Sequence, residues 1–167
     1  MESINIKWTH LEEVLNEFAD QVIQKARENL AANGTNATNN LSDTIEKIVE
    51  IGDDTYSVKL SLADYWRYVE EGTGPGHIPD ARAQYYPKIQ PLKEWVSVKP
   101  GVPKDDSFAY AVRGKIHASG TTAQPFLEPA KEEVLARFEL LINQAIEQDV
   151  SDYIEELVET KLKDALA

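Results

Sequence analysis

The chain has 167 residues, with 17 Lys and Arg against 29 Asp and Glu, so its formal net charge at pH 7 is −12. This length suits one domain with a hydrophobic core, and the acidic balance disfavours general binding to nucleic acid or to an anionic membrane. The absence of cysteine excludes disulfides, thiolate zinc sites and thiol catalysis. The charged first residues do not resemble a signal peptide and no apolar run approaches the roughly 20 residues that span a bilayer, so we expect a soluble intracellular protein.

The first third of the chain predicts a long helix followed by a β-hairpin. Apolar residues recur at steps of three and four from Trp8 to Leu30, and Gly34 with its Asn/Thr neighbours ends this amphipathic pattern. TIEKIVEI and YSVKLSLA follow, separated by GDDT, and the second stretch alternates between apolar and polar residues. A period of two predicts an antiparallel hairpin that packs one face on helices. The apolar residues of that face are Tyr56, Val58, Leu60 and Leu62.

The middle of the chain is rich in glycine and proline. DYWRYVEEG predicts a short helix closed by Gly72, and an insertion at about residues 74–120 predicts two more helices, in QPLKEWVSV and DDSFAYAVRGKIHASG. We expect Pro91 at the first position of the QPLKEWVSV helix. Residues 72–124 hold 7 basic and 4 acidic side chains, whereas the segments before and after them carry net charges of −8 and −7. The insertion is therefore a basic arm, suited to an acidic neighbour.

The stretch TTAQPFLEPAKEE predicts an extended strap that leads into a helix. Pro125 restricts the residues before it to extended backbone, and Pro129 is tolerated only in the first turn of a helix. From Pro129 onward an apolar stripe predicts a helix of about 50 Å, with a bend near residue 150 and an acidic extension at about residues 150–167. Together these elements predict a single α+β domain over residues 1–167, in which a small antiparallel sheet packs on long N- and C-terminal helices.

The candidates for catalysis and metal binding are weak. His10, His77 and His117 lack the spacing of a helical metal pair. Glu70 and Glu71 are adjacent, so on a helix they point in different directions and fit capping or salt-bridge roles better than an acid–base pair. EEGTGPGH lacks the Gly-Lys-Ser/Thr ending of a phosphate loop. We therefore expect no enzyme, no cofactor and no metal site.

Aromatic and basic residues lie close together in DYWRYVEE and AQYYPKIQP, near Arg82 and Lys88. Such a surface suits single-stranded nucleic acid, whose bases stack on aromatic rings. It suits a protein interface equally well, and the acidity of the whole chain favours that interpretation.

Two stretches share a pattern with a known family. YVEEGTG (68–74) and GTTAQPFLEPA (120–130) resemble the paired signature of the head–tail joining, or tail-completion, proteins in the neck of long-tailed bacteriophages. In that signature a Glu and a Gly-Thr pair precede Ala-x-Pro-Phe-Leu-x-Pro-Ala, which opens the C-terminal helix. The matching residues here are Glu70, Gly72, Thr73, Ala123, Pro125, Phe126, Leu127, Pro129 and Ala130. The insertion is similar to the longer form of some members, and the extension after residue 150 lies outside the shared pattern.

The resemblance implies a structural virion protein without catalytic activity. Such a protein assembles in the host bacterial cytoplasm into a ring of identical subunits, which a basic arm against an acidic body can hold together by head-to-tail contacts. Its further partners are other neck proteins, on the head-connector or adaptor side and on the tail-terminator side. DNA passing through the lumen is another candidate partner, and no membrane is involved.

For such a ring we expect Phe126 to be buried and the basic arm to contact a neighbouring subunit. The candidate interface residues of the arm are Arg82, Tyr86, Lys88, Lys93, Trp95 and Arg113, and the acidic counter-surface comprises Glu132, Glu133 and Glu139. Two alternatives stay open. One is a single-stranded nucleic-acid binding module that uses the aromatic arm, and the other is a metal-dependent hydrolase built on the histidines.

Overall fold

A computed structural model describes residues 6–34, 39–52, 55–73 and 87–166. Within these ranges it contains six helices and one two-stranded antiparallel sheet, which confirms the predicted α+β class. The elements are α1 (Thr9–Ala32), α2 (Asn40–Asp43), β1 (Glu46–Ile51), β2 (Tyr56–Ser61), α3 (Trp66–Glu70), α4 (Ile89–Val98), α5 (Asp106–Ser119) and α6 (Leu127–Leu166). The four-residue helix α2 was not predicted, because the Asn/Thr cluster before it shows no periodicity.

The chain divides into two compact units, of which the first comprises Met1–Gln24, Glu46–Ser61 and Lys131–Ala167. In this unit α1 packs on α6, and the rings of Phe18 and Phe138 meet edge to face with their centroids 5.7 Å apart. The two helices are antiparallel, since Lys7 lies near Glu156 whereas Phe18 lies near Phe138. Burial of each large apolar side chain at this contact stabilises the fold by roughly 1.5–3 kcal/mol. The buried apolar residues include Leu11, Leu15, Ala19, Val22, Val134, Phe138, Ile142 and Ala145.

The hairpin packs one face on α1, as its alternation predicts. Three directly opposed pairs share that face, namely Lys47 with Leu60, Val49 with Val58 and Ile51 with Tyr56. Val58 and Leu60 are half-buried, and Lys47 Nζ donates to the Asn16 carbonyl oxygen at 3.2 Å and to Asp20 Oδ2 at 2.6 Å. Tyr56 remains largely exposed because it lies at the start of its strand, beside an apolar cavity of about 250 Å³. That cavity is lined by Trp8, Leu11, Ile51, Gly52, Thr55, Tyr56 and Ile146.

The second compact unit comprises Lys25–Ile45 and Leu62–Ala130 and contains the two helices predicted in the insertion. Lys93 on α4 holds α5 in place, with its Nζ 2.5 Å from Asp106 Oδ2 and 5.6 Å from the centroid of the Tyr110 ring. The hydrogen bond to Asp106 raises the pKa of Lys93. Pro91 is the third residue of α4, so the prediction of a first position was wrong. The third position still lies in the first turn, where an amide hydrogen has no intrahelical acceptor.

Helix α6 is continuous over 40 residues, which corresponds to about 60 Å. Near residue 150, where a bend is predicted, the helix continues without a break. Asp149 does not compete for the backbone of its own helix, because its carboxylate accepts hydrogen bonds from α1. Among the described residues, no helix is long and apolar enough to cross a membrane.

Candidate functional site

The two motifs of the sequence meet in one place, which we call the strap joint: residues 69–73 together with residues 121–130. Glu70, at the last position of α3, accepts three backbone hydrogen bonds from the start of α6. Its Oε2 accepts from the N–H groups of Phe126 at 2.8 Å and Leu127 at 2.9 Å, and its Oε1 accepts from Glu128 at 3.0 Å. Glu70 therefore caps a helix that begins 57 residues later in the chain.

This arrangement satisfies the whole N-terminus of α6. The first four N–H groups of an α-helix have no intrahelical acceptor, and in α6 these belong to residues 126–129. Glu70 accepts the first three, and Pro129 has no N–H. A carboxylate at a helix N-terminus also interacts favourably with the helix dipole. Because of Glu70 and Pro129, no backbone N–H group at the start of α6 is left without an acceptor.

Gly72 and Thr73 join α3 to the strap. The Thr73 and Thr121 backbones exchange N–H···O hydrogen bonds of 3.1 and 2.9 Å, which form an isolated antiparallel bridge. Gly72 has φ +74°, and a Cβ at this position would lie 2.4 Å from the Thr121 carbonyl oxygen. Only glycine allows both this left-handed conformation and so close an approach. The Gln124 N–H continues the contact by donating to the Val69 carbonyl oxygen at 2.9 Å.

Phe126 anchors the joint, as predicted, since its side chain is 0% exposed within this chain. Its carbonyl oxygen accepts from Asn29 Nδ2 at 3.0 Å, so α1 also holds the strap. Leu127 is half-buried beside it, whereas Pro125 and Pro129 are exposed and act through the backbone. The residues of the joint fix where α6 begins.

The chemistry of the joint is that of a structural cap. Both Glu70 oxygens accept backbone N–H groups, which agrees with the capping role expected for this residue, although it caps α6 rather than its own helix. Glu71 is exposed and is not engaged with the same donors. The two glutamates therefore do not converge on one point, as an acid–base pair requires.

The described interface residues predicted for the basic arm lie on or next to α4 and α5 and not in the strap joint. Arg82 and Tyr86 lie outside the described residues, as does His77. Lys88 is exposed, and Trp95 is half-buried on α4. Lys93 is paired with Asp106 inside its own chain, so its charge is already partly compensated. Arg113 is half-buried on α5.

Sequence reasoning missed a second carboxylate cap, at the start of α1. Asp149 is only 2% exposed, and its two oxygens accept the N–H groups of His10 and Leu11, each at 2.9 Å. His10 Nε2 lies 3.2 Å from Asp152 Oδ2. A buried aspartate is rarely tolerated without such partners. The sequence contained one sign of this cap: Asp149 occupies a position at which the apolar stripe of α6 requires a buried residue.

His10, Asp149 and Asp152 also form the group among the described residues whose ligand atoms, all within 4.8 Å of one another, could hold a metal ion. Their hydrogen bonds already account for this geometry, because Asp149 is held by the α1 backbone and His10 by Asp152. His117 is exposed in the last turn of α5. The described histidines therefore do not share a site.

Comparisons with known proteins return no match: no protein-family model matches the chain, and neither does any curated protein or any solved structure. A function for the chain is therefore inferred from its own residues and their arrangement.

Proposed function

We propose that this chain is a structural subunit of the neck of a long-tailed phage, where identical copies form a ring between the head connector and the tail. The observation that carries the proposal is the strap joint. Two motifs that are separate in the sequence, and that together resemble the signature of neck proteins, converge on the first turn of α6. In the proposed role, the joint fixes the start of a long helix that neighbouring subunits contact.

The chemistry of the joint supports a structural role over a catalytic one. Glu70 is engaged by backbone donors, Thr73 is buried against Thr121, and Phe126 fills the core. None of these groups is left to bind or to activate a substrate. In this proposal the further partners are the proteins on the head side and the tail side of the ring, with DNA passing through its lumen, and the protein resides in the virion.

The test is to locate the chain in phage particles. Antibodies against the chain, applied to purified virions of the phage that encodes it, should label the junction between head and tail in electron micrographs. Glu70→Ala should yield heads and tails that fail to join, whereas Glu71→Ala, an adjacent exposed acid, should yield complete particles. Virions that lack the chain, or that form normally with Glu70→Ala protein of reduced stability, would contradict the proposal.

A further inference from the structure

The peptide groups at the end of the strap are held from two sides. The Pro125 carbonyl oxygen accepts from Asn33 Nδ2 at 3.3 Å. The N–H of the same peptide group belongs to Phe126 and donates to Glu70 Oε2 at 2.8 Å. The next peptide group repeats this arrangement, with Asn29 Nδ2 at its carbonyl oxygen and Glu70 at its N–H. We call the side chains of Asn29, Asn33 and Glu70 the strap clamp.

The two asparagines of the clamp differ in the residue that follows them. Asn29 precedes Leu30 inside α1, whereas Asn33 comes directly after the helix and precedes Gly34. Of the eight asparagines in the chain, Asn33 is the one followed by glycine. The backbone nitrogen that follows an asparagine can attack its side-chain amide, and glycine has no Cβ to hinder the approach. Asn33 is therefore chemically the more reactive of the two.

The surroundings of Asn33 leave room for that attack. Asn33 and Gly34 are both exposed, and a Cβ added at Gly34 would meet nothing within 4 Å. The Gly34 N–H donates to the Ala31 carbonyl oxygen at 3.1 Å, at a helix end where local opening costs little. Lys99 Nζ lies 2.7 Å from the Gly34 carbonyl oxygen. A nearby cation favours loss of the amide proton, because it attracts the charge left on the nitrogen.

We propose that Asn33 is a site of spontaneous deamidation and that this reaction opens one side of the strap clamp. The Gly34 nitrogen loses its proton to hydroxide and attacks Asn33 Cγ. A bond forms between Cγ and that nitrogen, the bond between Cγ and Nδ2 breaks, and Nδ2 takes a proton from water and leaves as ammonia. Water then opens the resulting succinimide ring at one of its two carbonyl carbons, which yields aspartate or isoaspartate. One water is consumed for each ammonia released.

Either product loses the contact with the strap, because an acceptor takes the place of a donor. Nδ2 supplies the hydrogen bond to the Pro125 carbonyl oxygen, whereas a carboxylate has only acceptors and faces another oxygen there. The new negative charge also lies at the C-terminal end of α1, where the helix dipole disfavours it. Asn29 continues to hold the next peptide group. The strap is therefore loosened at Pro125 and not detached.

Ageing of the purified full chain tests the site. The folded protein is kept in a mildly alkaline buffer at physiological temperature, and samples taken over weeks are digested at acidic pH and analysed by mass spectrometry. Each deamidation adds about 1 Da to the peptide that contains it. Conversion should be on the order of tenfold or more faster at Asn33 than at Asn29, because Leu30 has a Cβ and its nitrogen lies inside α1. The rate at Asn33 should rise with pH, since hydroxide removes the Gly34 proton.

A matched variant separates this route from general damage. Asn33→Gln keeps the side-chain amide, but its attack requires a larger ring, so residue 33 should convert much more slowly in this variant. Conversion at Asn33 no faster than at Asn29 would overturn the proposal. Equal rates at residue 33 in the natural and Asn33→Gln proteins would also overturn it.

The effect on the clamp is measured at the Phe126 amide, which shares a peptide group with the Pro125 carbonyl. Ion exchange separates the aged protein that has gained a negative charge at residue 33 from the unaltered protein, and hydrogen exchange of both fractions is followed by NMR. The Phe126 amide should exchange about threefold or more faster in the deamidated fraction, because its peptide group is then held from one side. The Leu127 amide should change less, since Asn29 still holds its peptide group.

Two variants reproduce the change without ageing. Asn33→Asp should accelerate exchange mainly at the Phe126 amide, and Asn29→Asp mainly at the Leu127 amide. An unchanged Phe126 amide in the deamidated fraction, or equal effects of the two variants on both amides, would overturn the opening of the clamp. None of these outcomes depends on the proposed place in the neck, so that assignment and this one can fail separately.

Discussion

Both long helices begin at a carboxylate supplied from elsewhere in the chain, yet only one of these caps has a recognisable pattern in the sequence. The start of α6 is capped by Glu70, and the start of α1 by Asp149. Glu70 accepts three N–H groups. Two neighbouring positions are restricted to one residue type by the backbone: Gly72, which has a left-handed conformation, and Pro129, which lies in the first turn of a helix. Asp149 accepts two N–H groups and needs no special neighbour. A cap can therefore be recognised in the sequence when the backbone beside it requires glycine and proline.

The largest expected effect on stability comes from removing the buried ring of Phe126 from the strap joint. Phe126→Ala should lower the free energy of unfolding by about 3–5 kcal/mol, because a fully buried aromatic ring leaves a cavity. Urea denaturation followed by circular dichroism measures this loss. Leu140→Ala, at a residue that is 64% exposed on α6, should change stability by less than about 0.5 kcal/mol. Equal losses for the two variants would show that Phe126 is not an anchor.

Removing each cap in turn tests the comparison directly. Glu70→Ala leaves three N–H groups without their acceptor and should cost about 1–3 kcal/mol. Asp149→Ala leaves two and should cost less, about 0.5–2 kcal/mol. The same urea titrations rank the two variants. A larger loss for Asp149→Ala would mean that burial of the carboxylate, rather than the number of donors, sets the strength of these caps.

Hydrogen exchange should separate the two caps in space. Glu70→Ala should accelerate exchange of the Phe126, Leu127 and Glu128 amides, whereas Asp149→Ala should accelerate that of His10 and Leu11. Each effect should stay within the first turn of the affected helix, because only those amides lose an acceptor. Equal acceleration at both helix starts in either variant would show that the caps are coupled.

The smallest expected effect concerns a local cap and its dependence on pH. Asp105 caps α5, and hydrogen bonds from the Ser107 hydroxyl and the Phe108 N–H hold its pKa below the ordinary value. Because the folded pKa is the lower one, the contribution to stability is complete above the ordinary value of about 3.8 and is lost as the pH falls through the folded pKa. Asp105→Asn should remove this part of the acid sensitivity, measured by unfolding at a series of acidic pH values. Asp64→Asn, at an exposed acid that caps no helix, is the control.

Much of the fold could be predicted because its signals are local. The alternation in YSVKLSLA indicated β2, and the apolar steps of α1 and α6 indicated both long helices. The features that could not be predicted depended on distant partners. The local tendency of Asp to bind nearby backbone predicts a bend near residue 150, whereas Asp149 binds α1 across 139 residues and α6 continues through this position without a break. The same limit applies to Glu70, whose capping role was foreseen while the helix that it caps was not.

The Asp149 cap has a consequence for the order in which the protein can be completed during synthesis. His10 leaves the ribosome long before Asp149 has been added, because 139 residues separate them. At about 5–20 residues per second, the first turn of α1 waits on the order of ten seconds for its acceptor. During that interval water must accept the hydrogen bonds of the His10 and Leu11 amides, and their final acceptor arrives only with α6. Helix α1 is thus made long before its first turn can be completed.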